Sequence, residues 1–208
     1  HDKEFFQTLW SAVLERGWWQ GEIFNRNKNG EVYPEWLTIN TVKDNNGKIT
    51  NFVGIFSDIS NIKNSQRQIE HMATHDELTS LPNRFCFVDE LKHQLAYANK
   101  HNEKRAVLFI DLDEFKNIND TLGHNVGDNL LIEVSRRLKE CIKPIDFIAR
   151  LGGDEFTAIL NTGNSDEIIM YAQKILDYLT ASYLIDDKKL YISCSIGISI
   201  FPDHGIDS

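Results

Sequence analysis

The feature that most constrains the fold is a short apolar strand in the second half of the chain. Residues 106–110 are all hydrophobic and are bounded by Arg105 and Asp111. A strand without polar alternation is expected where other layers cover both faces of its sheet. Apolar residues at helical spacing near 85–99, 125–142 and 165–181 supply such layers. The sequence therefore predicts an α/β (α+β) sandwich, with two short strands flanking 151–155 and one strand over 189–200.

A different pattern occupies the first 58 residues. Helical spacing predicts a helix over 3–16 that ends at Gly17, and three segments rich in β-branched and aromatic residues follow. Asn-Gly pairs at 29–30 and 46–47 separate these segments, and both residue types accept the positive φ of a tight hairpin turn. The prediction for 1–58 is a helix and a three-stranded antiparallel meander.

Residues 59–75 are predicted to form a polar helix that connects the two regions. Ile62, Ile69 and Met72 fit the apolar positions of a heptad repeat, but Ser65 interrupts them. Two heptads leave two interpretations open: a dimerising helix that passes a signal, or a solvated linker that packs on its own domain.

The formal net charge of −9 argues against a protein that binds nucleic acid through its backbone, because such binding needs a basic surface. No apolar run reaches the length of a membrane span, and the first residues do not resemble a signal peptide. We expect a cytoplasmic protein, or the cytoplasmic portion of a protein whose membrane anchor lies outside this chain.

Carboxylates follow two of the predicted strands. Asp111 ends the apolar strand, and Asp154 and Glu155 follow Gly152 and Gly153 in a short loop. Taken singly, Asp111 is more typical of a helix cap than of a metal ligand, and the glycine loop is acceptable as a solvated turn. Together they offer the hard oxygen ligands that Mg²⁺ prefers, with phosphates completing the coordination.

Longer motifs then carry a family resemblance. Residues 150–156, Arg-Leu-Gly-Gly-Asp-Glu-Phe, resemble the signature of the GGDEF family, the diguanylate cyclases. Further segments resemble motifs of this family and occur in its order, at 76–84, 109–120, 123–128 and 195–198. The resemblance covers about 73–208. It implies a nucleotidyl-cyclase-like βαββαβ sandwich over 76–208, which we expect to be truncated at its C-terminus.

The resemblance also implies roles for individual residues. Asp111, Asp154 and Glu155 would be catalytic, with Mg²⁺ or Mn²⁺ held by these side chains and by the Leu112 carbonyl. The implied substrate-binding residues are Asn119 and Asp128 at the guanine edge, Phe115 and Lys116 beside the phosphates, and Gly152 and Gly153 against the nucleotide. We also expect Asp76 and Arg84 to form a structural ion pair.

The reaction implied by the resemblance joins two GTP molecules into cyclic di-GMP and pyrophosphate. Each domain holds one GTP, so catalysis requires a homodimer. Lys143 and Asp146 stand where the family has the Arg and Asp of its product-inhibition site. Because lysine lacks the bidentate fork of arginine, we expect this site to be degenerate. The family's late Lys and Arg that grip the triphosphate do not occur before Ser208.

Residues 19–22 and 52–60 resemble the C-terminal half of a PAS sensor domain, with Asp58-Ile59-Ser60 in place of its closing motif. Its ligand is unknown from the sequence. The leading hypothesis is therefore a PAS-regulated diguanylate cyclase. The alternative is a catalytically silent, GTP-binding GGDEF domain that regulates a downstream EAL-type phosphodiesterase domain.

Overall fold

The computed structural model describes residues 1–205, and the chain forms two compact units, His1–Glu70 and the residues from His71 onward. The last three residues of the predicted GGDEF domain, 206–208, lie outside the described residues. No helix within residues 1–205 combines the length and the apolar character needed to cross a bilayer.

The first unit consists of a helix on a small sheet. The first helix is Lys3–Arg16 (α1). Asp2 caps its N-terminus by accepting a hydrogen bond from the Phe5 amide, and Gly17 caps its C-terminus with a φ of 89°. Strands Trp18–Arg26 (β1), Val32–Lys43 (β2) and Ile49–Asp58 (β3) pair antiparallel in the order β1-β2-β3. The predicted helix and meander are confirmed, and α1 buries Leu9 and Val13 with Ile39 of the sheet.

The connecting segment is a helix, as predicted, over Ser60–Thr74 (α2). Asp58 caps its start by accepting a hydrogen bond from the Ser60 amide. None of its residues is buried, and Ile62 and Ile69 are both exposed. The two interpretations of this helix therefore remain predictions.

The second unit contains the helices Arg84–His101 (α3), Phe115–Leu122 (α4), His124–Cys141 (α5) and Ser165–Thr180 (α6), and the strands Arg105–Leu112 (β4), Phe147–Gly152 (β5), Glu155–Leu160 (β6), Tyr183–Ile185 (β7), Lys188–Leu190 (β8) and Cys194–Phe201 (β9). Four of the strands form an antiparallel sheet in the spatial order β5-β6-β4-β9. Along the chain these strands alternate with helices as β4, α4 and α5, β5, β6, α6, β9, which confirms the predicted βαββαβ fold class.

The main core lies on one face of this sheet, where β4 and β6 pack with α5 and α6. Leu108, Ile110, Phe156, Leu130 and Ile175 are almost completely buried there. A smaller cluster on the other face joins Phe87 of α3 to Val107 and Ile159. The apolar stripes that predicted the helices are the surfaces that fill these two clusters.

Two sequence predictions are wrong in detail. The single strand over 189–200 is divided at residues 191–193: β8 pairs with β7, and only β9 pairs with β4. Asp186 and Asp187 both have positive φ in the tight β7–β8 turn. An Asp-Asp pair predicts such a turn much less strongly than Asn-Gly does, so the hairpin was not predicted. Burial of β4 on both faces fails at Phe109, which is 47% exposed and meets Phe87 only edge to face.

Candidate functional site

The predicted acidic residues come together where β4 ends beside the β5–β6 hairpin. Asp111 stands opposite Glu155 in the ladder, and the Leu112 amide donates to the Asp154 carbonyl at 3.4 Å. Asp111 is exposed, but partial desolvation and the nearby carboxylates of Asp154, Glu155 and Asp113 raise the pKa of Asp111. The fold therefore concentrates negative charge at this position, and a bound cation would relieve the repulsion.

The donor set at this position suits a hard cation. Mg²⁺ commonly takes one or two carboxylates and completes its octahedron with water and substrate phosphates. Within residues 1–205, no group of three His, Cys, Asp or Glu side chains is placed to hold a metal ion on its own. The oxygen donors that the fold offers here to such a cation are the carboxylates of Asp111 and Asp154 and the Leu112 carbonyl.

Glu155 is engaged by a cation from the start of α3. Arg84 Nη2 lies 3.4 Å from Glu155 Oε2, and Arg84 Nε donates to the Leu151 carbonyl at 3.4 Å. Both side chains are more than half exposed, so the pair contributes little stability. The predicted ion pair between Asp76 and Arg84 is wrong, because Arg84 reaches Glu155 and Asp76 has another partner.

That partner is Arg150, a buried arginine to which sequence reasoning gave no role. Arg150 Nη1 donates to Asp76 Oδ1 at 2.8 Å, while Nε and Nη2 donate to the Gly153 carbonyl at 3.0 and 2.7 Å. Burial opposes ionisation of Asp76, but hydrogen bonds from Thr79 and Arg150 outweigh it and lower the pKa of Asp76. Arg150 therefore fixes the hairpin loop to the segment before α3. The one signal in the sequence was a charged residue between apolar strand neighbours.

The two glycines make the hairpin loop possible. Gly152 and Gly153 have φ values of 138° and 55°, which L-residues with side chains adopt at a cost. A Cβ atom at either position would meet no atom within 4 Å. The loop backbone is therefore open to a ligand.

The chain after β4 turns sharply into α4. Glu114 adopts a left-handed conformation with a φ of 58°, and no side chain caps the helix. Uncapped amides at a helix N-terminus suit an anion. Phe115 points into the core and is 7% exposed, so only its backbone is available, whereas Lys116 is exposed.

The predicted guanine-binding residues lie on two helices that contact each other, Asn119 on α4 and Asp128 on α5. Asn119 of α4 lies against Gly127, which directly precedes the exposed Asp128. A Cβ atom on Gly127 would lie 1.9 Å from Asn119 Oδ1 and 3.2 Å from the Phe115 ring. Glycine at this helical position thus makes room for the Asn119 side chain.

The family resemblance implies that Asn119 binds guanine, and we therefore expect Gly127→Ala to weaken GTP binding about tenfold. Its net effect on stability should be small, because crowding of the Phe115 ring offsets the gain in helix propensity. Alanine favours a helix by about 1 kcal/mol over glycine, but its methyl group displaces the partly exposed Asn119. Calorimetric GTP titration and thermal unfolding would measure the two effects separately. Asn129→Ala, an exposed change on the same helix, serves as the control. Unchanged GTP affinity in Gly127→Ala would show that the position of Asn119 is unimportant.

An open cavity of about 510 Å³ adjoins the acidic cluster. Its walls include Arg84, Phe109, Asp111, Glu155 and Ser195, but not Asn119 or Asp128. The exposed Phe109 ring is one of the lining residues, so the cavity has an apolar wall beside its charged side chains.

Lys143 and Asp146 are held at the opposite end of β5 from the glycines. Lys143 Nζ lies 2.7 Å from Glu167 Oε1 and 5.4 Å from the centre of the Tyr171 ring. Asp146 accepts hydrogen bonds from the amides of Lys143 and Asn161. Both side chains therefore have structural partners, and a degenerate inhibitory site remains a prediction.

The sandwich fold and its acidic hairpin are those of a family that comparison with known proteins identifies. The family model described as "Diguanylate cyclase, GGDEF domain" matches residues 73–208, well over half of the chain. The chain therefore belongs to the GGDEF family.

Its relatives include two proteins of Pseudomonas aeruginosa. The chain is 38% identical over 146 residues to the bifunctional diguanylate cyclase/cyclic di-GMP phosphodiesterase MucR, covering 70% of this chain and 21% of MucR. It is 40% identical over 145 residues to the diguanylate cyclase TpbB, covering 69% of this chain and 33% of TpbB. The chain thus spans a third or less of the length of these relatives.

A solved structure of the isolated GGDEF domain of TpbB (or YfiN) from the same organism has a similar fold. The TM-score is 0.62 at 41% identity, and the match covers 64% of this chain and 78% of that chain. The similarity supports the nucleotidyl-cyclase-like architecture of the second unit.

Proposed function

We propose that this chain carries a diguanylate cyclase that condenses two GTP molecules into cyclic di-GMP with release of pyrophosphate. The observation that carries the proposal is the cluster of Asp111, Asp154 and Glu155, in which desolvation and then the neighbouring carboxylates raise the pKa of Asp111. Carboxylates gathered in this way suit a cation bound with a nucleotide triphosphate. Membership of the GGDEF family supports the same activity.

In this proposal Asn119 and Asp128 bind the guanine edge. A carboxylate accepts from the N1–H and N2–H₂ donors of guanine, and an amide can donate to its acceptors. The backbone of Phe115 and Lys116 holds the phosphates, and the exposed Lys116 ammonium adds a positive charge. The open backbone at Gly152 and Gly153 lies against the nucleotide.

Asp111, Asp154 and the Leu112 carbonyl hold Mg²⁺ or Mn²⁺ in the proposed complex. When bound, such a metal lowers the pKa of an attacking hydroxyl and stabilises charge on the phosphates. Glu155 ligates the metal or accepts the proton of the attacking 3′-hydroxyl, and its Oε2 leaves Arg84 Nη2 if that oxygen is the one that acts. Its exposed ion pair with Arg84 is weak enough to permit this movement.

The reaction requires two domains that face each other. A ribose 3′-oxygen of one GTP attacks the α-phosphorus of the other, and pyrophosphate leaves; repetition at the second ribose closes the ring. Because each domain supplies one GTP, we propose that a homodimer forms at least transiently. Specific activity that rises with protein concentration would support this requirement.

Glu155→Gln tests the proposed function. We expect the full-length wild-type protein with GTP and Mg²⁺ to form cyclic di-GMP, identified by chromatography, and its Glu155→Gln variant to form at least about 100-fold less. Glu140→Gln, an exposed change on α5, is the matched control and should retain activity. GTP binding without any product from dimeric wild-type protein would instead favour a regulatory role.

That regulatory role is the second candidate, and the relative MucR favours it. MucR is named as both a cyclase and a phosphodiesterase, and this chain corresponds to 21% of its length. The alternative is thus a GTP-binding GGDEF domain that controls an EAL-type phosphodiesterase domain elsewhere in the full-length protein. Phosphodiesterase activity of the full-length protein that depends on GTP would support it.

We further propose that residues 1–58 are the C-terminal half of a PAS sensor that regulates the cyclase. The antiparallel meander and the Asp58 cap at the start of α2 support this proposal. Mass spectrometry of purified full-length protein would identify a retained ligand.

A further inference from the structure

A carboxylate between the acidic cluster and α4 is bound on both of its oxygen atoms. Asp113 Oδ2 accepts a hydrogen bond from Ser193 Oγ at 2.6 Å, and Asp113 Oδ1 accepts one from Ser195 Oγ at 2.8 Å. The Asp113 amide donates to the Ser193 carbonyl at 2.9 Å. Three hydrogen bonds therefore join one residue of the loop to the start of β9.

Proximity to Asp111 would make Asp113 a natural candidate for a further metal ligand. The structure gives it another task, because each of its oxygens already accepts from a serine hydroxyl at short distance. Hydrogen bonds to a charged acceptor are stronger than those between neutral groups. Asp113 is thus committed to β9 rather than turned towards the Asp111 and Asp154 carboxylates.

The three hydrogen bonds of Asp113 with Ser193 and Ser195, which we call the clamp, lie immediately before α4 in the chain. Leu112 is the last residue of β4, Asp113 follows it, and Glu114 adopts its left-handed conformation before α4 begins at Phe115. A non-glycine residue keeps such a conformation only where its surroundings impose it. The clamp is the contact that fixes the chain immediately before this strained residue.

We propose that Asp113, held by Ser193 and Ser195, is a positioning residue that sets the first turn of α4 for the triphosphate of GTP. This inference rests on the proposed function, since it concerns the phosphate subsite of the same site. A backbone that is fixed before the ligand arrives loses less freedom on binding. Asp113 itself needs no contact with the nucleotide.

The test compares Asp113→Ala, Asp113→Asn and the double variant Ser193→Ala/Ser195→Ala. Affinity for GTP is measured by calorimetry in Ca²⁺, and KM and kcat in Mg²⁺. We expect Asp113→Ala and the serine double variant to weaken GTP binding by about tenfold or more, with a larger change in KM than in kcat. Asp113→Asn should lie within about threefold of wild type, because a serine hydroxyl can also accept from the new amide.

The serine double variant distinguishes the clamp from a metal ligand. A metal ligand at Asp113 would make Asp113→Asn as damaging as Asp113→Ala and leave the serine variant near wild type, which would overturn the proposal. Asp89→Ala, an exposed carboxylate on α3, is the control for net charge.

Amide exchange at residues 112–117 should accelerate in the serine variant, and unchanged exchange with unchanged GTP affinity would also overturn the clamp. Failure of wild-type protein to bind GTP would instead contradict the proposed function itself.

Discussion

Replacement of Asp111 by Asn is expected to lower cyclic di-GMP formation at least about 100-fold while making the metal-free second unit more stable. Asparagine keeps the shape of the side chain but removes the negative charge that would bind a cation. The same charge is unfavourable in the absence of metal, because partial desolvation and the carboxylates of Asp154 and Glu155 raise the pKa of Asp111.

The effect on stability has a definite pH dependence. Because the pKa of Asp111 is higher in the folded than in the unfolded chain, its ionisation opposes folding. The gain from Asp111→Asn should therefore be present at neutral pH and disappear as pH falls through the folded pKa. Urea unfolding in EDTA at neutral and acidic pH measures this gain, and product chromatography measures activity.

The matched control for Asp111→Asn is Asp177→Asn, an exposed change on α6 whose hydrogen bond with Gln173 the asparagine can keep. It should alter neither activity nor its pH dependence. Cyclase activity within a few fold of wild type in Asp111→Asn would refute a metal-binding role for this residue. A lower free energy of unfolding for Asp111→Asn than for wild type at neutral pH would refute the repulsion within the acidic cluster.

Replacement of Arg150 by Ala is expected to destabilise the second unit by about 3 kcal/mol, since it strands the half-buried Asp76 carboxylate and frees the Gly153 carbonyl. The three hydrogen bonds of Arg150 to these two groups are between 2.7 and 3.0 Å long. Cyclase activity should fall as well, because Gly153 directly precedes Asp154. Arg150→Lys should recover only part of the loss, because lysine lacks the forked geometry.

Unfolding of the two units of Arg150→Ala can be followed separately, by tryptophan fluorescence and by hydrogen exchange. All four lie in the first unit, at positions 10, 18, 19 and 36, so their fluorescence reports its unfolding. Hydrogen exchange of the β5 and β6 amides reports the second unit. We expect the exchange protection of β5 and β6 to fall and the fluorescence transition to remain.

Arg84→Ala is the control for this second experiment, because Arg84 also contacts the hairpin but through an exposed ion pair. Its effect on stability should stay below about 1 kcal/mol. Equal destabilisation by the two variants would contradict the role assigned to the buried arginine.

Several parts of the fold could be predicted because they depend on neighbouring residues. Gly17 ends α1 in the left-handed conformation, and the apolar faces of α5 and α6 recur at helical spacing. Helix α4 and the β7–β8 hairpin could not, since each is short and has no clear capping or Asn-Gly signal.

The candidate site divides in the same way. The sequence predicts that Asp111, Gly152, Gly153, Asp154 and Glu155 belong to one site, because several motifs in the same order carry the family resemblance. The sequence by itself thus determined the family, the βαββαβ class and the acidic residues of the candidate site.

Only the tertiary structure decided which charged groups meet. Asp76 pairs with Arg150 and not with Arg84, and Asp113 is bound by two serines that are 80 and 82 residues distant in sequence. The register of β4 with β9, in which Leu112 lies opposite Cys194, brings Asp113 beside the two serines. Such pairings depend on distances across the sheet, and local sequence patterns carry no information about those distances.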